Sequence, residues 1–176
     1  MSMQPNEMIQ EDLFHITSEA VNTTEESRVL NHSNTFALLD RMGNIYPRGK
    51  MVQGIYHHGT RFINKLVLSL NGQKPLLLGS AIKEDNDIYS IDLTNSYLEN
   101  CGVPENSIHI SRNQFIREGI FYEEIVCSNY CDTPCDLDLS IAFNGDFKDI
   151  FEIRGVERNV LINKVEVSAE QAGFNL

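Results

Sequence analysis

Apolar residues recur at every second position, rather than every third or fourth, in segment after segment of this 176-residue chain. Phe62, Leu66, Leu68 and Leu70 alternate with Ile63, Lys65, Val67 and Ser69, and Leu137, Leu139, Ile141 and Phe143 alternate with Asp136, Asp138, Ser140 and Asn144. Successive side chains of a strand point to opposite faces, so a period of two makes one face apolar and predicts half-buried strands. Further strands are expected at Thr35 to Leu39, Ile45-Tyr46, Val52 to Tyr56, Leu76 to Leu78, Ile88 to Leu93, Ser107 to Ser111, Gln114 to Arg117, Ile120 to Ser128, Ile150 to Ile153 and Asn159 to Val167. Asp40 to Asn44, Asn71-Gly72 and Asn144-Gly145-Asp146 supply residues that tolerate positive φ or bond their own backbone, and Asn71-Gly72 is the strongest hairpin signal among them. With no sustained helical pattern beyond position 28, the expected fold is an all-β antiparallel sandwich.

Residues 1–28 are polar and acidic and read as a lead-in with at most one short helix, leaving residues 29–176 as a single sandwich domain. Twenty-five Asp and Glu against 14 Lys and Arg give a net charge of −11. A field of that sign repels phosphate backbones and anionic lipid, so neither nucleic acid nor a membrane is an expected partner. The first residues carry no basic start and no apolar run, and the greasiest stretch, KLVLSLNGQKPLLLGSAI, is interrupted by Asn71 to Pro75. A cytoplasmic protein with reduced cysteines is expected, and Asn22-Thr23-Thr24 is then a coincidental glycosylation sequon.

Three of the four cysteines fall in CSNYCDTPC, at residues 127–135. A zinc knuckle would need a second ligand pair from Cys101 or a histidine, and nothing local supplies it. The favoured reading is a hairpin, with Cys127 a small buried hydrophobe on one strand, Cys131 in the turn and Cys135 opening the return strand. No metal site and no cofactor are expected. The acidic run Glu84 to Asp87 lacks the glycine and the closing glutamate of a calcium loop.

Five stretches in order, SNTFALLDRMGNIYP, GIYHHGTRFINKLVLSLNGQKPLLLGS, KEDNDIYSIDLTN, IHISRNQFIREGIFYEEIVCSNY and LDLSIAFNGDFKDIFEIRG, resemble the N-terminal domain of bacterial and archaeal glycogen debranching enzymes of the amylo-α-1,6-glucosidase type. The resemblance covers roughly residues 30 to 155 and implies a sandwich of the galactose-mutarotase-like kind. In the family this domain precedes a helical barrel that carries the hydrolytic acids, so the barrel and an α-glucan are the implied partners. His57-His58-Gly59 departs from the family, which often has an acid before Thr-Arg, and the sequence after Gly155 drifts from it. A sandwich truncated there would leave an open edge, which a second copy of the chain could cover as a homodimer.

Tyr56, His57, His58 and Arg61 combine an aromatic face, two imidazoles and a guanidinium, a set able to stack on a glucose ring and bond its hydroxyls. Asp85 and Asn86 in the following acidic loop join them as candidate carbohydrate contacts. The competing reading is a plain strand-to-strand loop in which Arg61 pairs with a carboxylate such as Asp85 or Asp92. Glycoside hydrolysis needs two carboxyls facing one bond, about 5 to 9 Å apart. Glu123 and Glu124 are adjacent on a strand and diverge, while Glu84, Asp85 and Asp87, and Asp146, Asp149 and Glu152, sit at strand ends or in loops. No catalytic residue is assigned. The favoured function is a non-catalytic domain supporting the substrate groove of a debranching α-1,6-glucosidase. The alternatives are a free-standing sugar-binding or regulatory sandwich and an epimerase-like enzyme using His57 or His58 with Glu84 or Asp85.

Overall fold

A computed structural model describes residues 27–47, 52–83, 87–99 and 101–155. The expected strand at Asn159 to Val167, the lead-in up to residue 26 and the sequon lie outside these residues. Eleven strands and one short helix follow in order: β1 (Arg28–His32), β2 (Thr35–Leu39), β3 (Gly54–His57), β4 (Thr60–Ile63), β5 (Lys65–Leu70), β6 (Leu76–Ile82), β7 (Ile88–Thr94), β8 (Ile108–Arg117), β9 (Ile120–Asn129), β10 (Leu139–Asn144), β11 (Lys148–Asp149) and α1 (Ile150–Ile153). They form an antiparallel β-sandwich. One layer holds the sheet β1-β2-β3-β4-β11 and the pair β10-β5; the other is the sheet β6-β7-β8-β9.

The period-two pattern is what joins the layers. Leu66, Leu68 and Leu70 of β5, Tyr89, Ile91 and Leu93 of β7, and Ile108, Ile110 and Ile116 of β8 are buried in one apolar core with Leu30, Ala37 and Leu39. Full burial of such side chains stabilises by roughly 1.5–3 kcal/mol each. Polar stitches cross the core as well. The fully buried Arg112 of β8 bonds Glu123 of β9, the Met42 carbonyl (2.7 Å) and Asn44 Oδ1 (2.8 Å), while the Asp40 carboxylate accepts from the Met42 and Asn44 N–H groups at 2.8 and 2.7 Å. The turn at residues 40–44, expected from its sequence, is thereby held against the opposite sheet.

Several expectations are corrected. The segment expected as two strands, Ser107 to Ser111 and Gln114 to Arg117, is the single strand β8. The alternating run from Phe62 to Leu70 breaks at Asn64 into β4 and β5, which leaves Phe62 exposed. Asn71-Gly72 does make a tight turn with both residues at positive φ, closed by the Leu70 N–H to Gln73 carbonyl bond of 2.9 Å, but it passes the chain to the other sheet instead of pairing β5 with β6. CSNYCDTPC is likewise a crossover and not a hairpin, because β9 and β10 belong to different sheets and Cys135 precedes β10. Ile150 to Ile153 is helical. Asp149 caps it, accepting from the Phe151 N–H, while Glu152 reaches back to the Asp149 N–H, a capping box that outweighs the β-branched residues in so short a stretch.

Candidate functional site

The β3–β4 hairpin brings together most of the side chains singled out for carbohydrate contact. His58 and Gly59 both adopt positive φ (48° and 80°), the two-residue turn that matches the twist of its flanking strands. Glycine adopts that conformation without cost, and His58 is carried into it with its ring exposed. Beside the turn, His57 Nδ1 lies 2.7 Å from Thr35 Oγ1 of β2, which fixes the imidazole.

Tyr56 has no exposed surface. Its ring stacks on Phe36 with centroids 4.6 Å apart, and its hydroxyl donates to the Val52 carbonyl at 2.6 Å. Burial raises its pKa, partly offset by Arg61. A sugar has no access to that ring, so Tyr56 supports the hairpin from beneath. Arg61 is also committed: Nε donates to Asp146 Oδ1 at 3.0 Å, Nη2 to the second oxygen, and Nη1 to the Gln53 carbonyl at 3.3 Å. The carboxylate partner expected for Arg61 is thus Asp146, while Asp92 pairs with His109 at 2.9 Å. Asp85 and Asn86 lie outside the described residues.

What the hairpin offers to solvent is an aromatic row. His57 meets His58 edge-on with centroids 4.3 Å apart and lies 6.3 Å from Phe62, which in turn meets Phe147 at 5.5 Å. Sequence reasoning missed Phe62 and Phe147. Alternation places Phe62 on the core face of one long strand, which instead breaks two residues later at Asn64, and Phe147, in the link between β10 and β11, is sequence-distant from the hairpin. The shared register of β4 and β11, Lys148 with Arg61 and Asp149 with Thr60, brings it there. Such rings, half in and half out of water, can cover the apolar face of a pyranose, with the imidazoles as hydrogen-bonding edges.

Glu84 and Asp85 lie outside the described residues, and five of the other acids weighed for hydrolysis are engaged in bonds of the fold. Glu123 faces inward onto Arg112 and Glu124 faces outward toward Asn113; Asp146 holds Arg61; Asp149 and Glu152 cap α1. Among the described residues no three His, Cys, Asp or Glu side chains are grouped to hold a metal ion. Cys127 packs against the core, and burial raises its pKa. Cys135 is shifted upward too, first by burial and then by the neighbouring Cys131, Cys101 and Asp136. No helix of the described residues is long and apolar enough to cross a membrane.

Residues 30–175 match a family model described as the N-terminal domain of some glycogen debranching enzymes. No curated protein and no solved structure matches the chain.

Proposed function

Since the chain belongs to the family of N-terminal domains of glycogen debranching enzymes, we propose that it is a non-catalytic domain that supports the substrate groove of a helical-barrel α-1,6-glucosidase and contacts the α-glucan. The family match carries this reading. The commitment of Glu123, Asp146, Asp149 and Glu152 to structural bonds supports placing the hydrolytic acids on the barrel. Glucan contact is assigned to the exposed row His57, His58 and Phe62, with Tyr56 and Arg61 holding the hairpin in place from below.

Affinity electrophoresis through native gels with and without glycogen tests the reading, beside a branched-dextrin hydrolysis assay. Expected are retardation by glycogen, its loss in His58→Ala and Phe62→Ala, and no glucose release by the chain alone. Addition of the barrel domain should restore hydrolysis. Glucose released by this chain alone would overturn the non-catalytic assignment, and retardation unchanged in both variants would move the glucan contact elsewhere.

A further inference from the structure

β10 is bonded to β5 along one edge, and among the described residues no strand occupies its other edge. Pairing parity decides which of its groups face outward. Asn71 donates its N–H to the Asp138 carbonyl at 2.7 Å, whereas Leu66 exchanges both backbone bonds with Ile45, at 2.8 and 3.0 Å, on the opposite side of β5. Hydrogen bonding alternates along an antiparallel pair. The odd-numbered residues of β5 therefore bond Ser140, Ala142 and Asn144, their partners in register. Leu139, Ile141 and Phe143 turn their N–H and C=O groups to the open edge.

The same three residues carry the apolar row. They sit opposite Leu70, Leu68 and Leu66, which are buried, yet Leu139, Ile141 and Phe143 are 37%, 40% and 55% exposed. One strand thus leaves backbone groups and core-facing side chains uncovered together, which is the template for an added strand.

We propose that the segment 159–167 of this chain, NVLINKVEV, adds a strand to that edge, antiparallel to β10. Three observations select this occupant. Its sequence is rich in β-branched residues and has the length of a strand. The family match runs to residue 175, so the segment belongs to the same family unit as β10. The reach is also adequate. β11 lies beside β4 and the Ile150 N–H bonds the Gly59 carbonyl at 2.9 Å, so the chain leaves α1 near the β3–β4 turn. Phe143 lies level with Leu66, about seven residues of extended chain, or roughly 23 Å, from that turn. Residues 156–162 can span this, which leaves residues 163–167 to lie along β10, and a segment arriving from that end meets Phe143 first and Leu139 last.

Residue-resolved amide hydrogen exchange on the whole 176-residue chain tests the pairing. The amides of Leu139, Ile141 and Phe143 are expected to exchange at least about tenfold slower than in a free chain, independently of protein concentration. The double variant Lys164→Pro, Val165→Pro puts one proline at an even and one at an odd position of the paired stretch, so an edge bond is lost whichever way the strand faces. In it the three amides should speed up at least about tenfold while Ser140 and Ala142, bonded to β5, stay slow and report an intact fold. Free-chain exchange at the three amides in the unsubstituted protein would overturn the proposal. Protection that vanishes on dilution would also overturn it, giving the edge to a second copy.

Discussion

Arg61 and Asp146 meet in a two-pronged ion pair that is almost shielded from water. Removing one partner of such a pair strands the other charge, a loss of about 3 kcal/mol. Asp146→Asn should therefore lower stability to urea by about that amount, while Arg61→Lys, which keeps the charge and loses the fork, should cost about 1 kcal/mol. Equal losses would mean that charge and geometry are not separable there. The sequence made the need for a carboxylate legible but not its identity, because Asp146 lies far along the chain and reaches Arg61 only through the β4–β11 pairing. Tyr56 makes a second prediction. Its folded pKa is raised, so its contribution is fully present below its unfolded value of about 10 and is lost as pH rises through the folded one. Tyr56→Phe should cost about 1 kcal/mol near neutral pH for the lost bond to the Val52 carbonyl. It should also shrink, without abolishing, the loss of stability above about pH 10, because the likewise raised Tyr89 remains. Urea midpoints on both sides of that pH read both effects.

At the scale of elements, turns separate by what lies above them. Gly43 has a φ of 74°, and a Cβ there would stand 2.5 Å from Gln114 Oε1 and 2.8 Å from Ile91 Cδ1; Gly72, at 72°, has open space. Alanine should thus cost about 1 kcal/mol at Gly72 from backbone conformation alone, and about 2–4 kcal/mol at Gly43, where overpacking against the opposite sheet is added. Thermal unfolding of the two variants compares them directly. β2, β7 and β9 were legible because each pairs a buried face with a more open one and ends at a turn residue. α1 was not, since Ile150-Phe151 reads as strand in any short window, although Asp149 and Glu152 carried the capping signal. The assignment of strands to sheets was hidden too. Periodicity marks which face is apolar, not which sheet a strand joins, and so Asn71-Gly72 and CSNYCDTPC read as hairpins although each is a crossover between layers.

For the whole molecule, the charge of −11 separates two kinds of polymer contact. An anionic polymer would be repelled, or held only through local cations whose effect falls steeply with salt. A neutral glucan releases no counterions, and rings such as His58 and Phe62 bind it through apolar area and hydrogen bonds. Retardation by glycogen should then change by less than about twofold when ionic strength rises from about 0.05 to about 0.5 M, a range over which the Debye length falls severalfold. Heparin at matched concentration should leave mobility unchanged. The gels are run at about pH 8 throughout, so that salt alone is varied. A steep loss of glycogen retardation with salt at that pH would show that charge carries the contact. The aromatic row would then no longer account for it, and the sugar-facing surface would have to be sought among the exposed lysines and arginines instead.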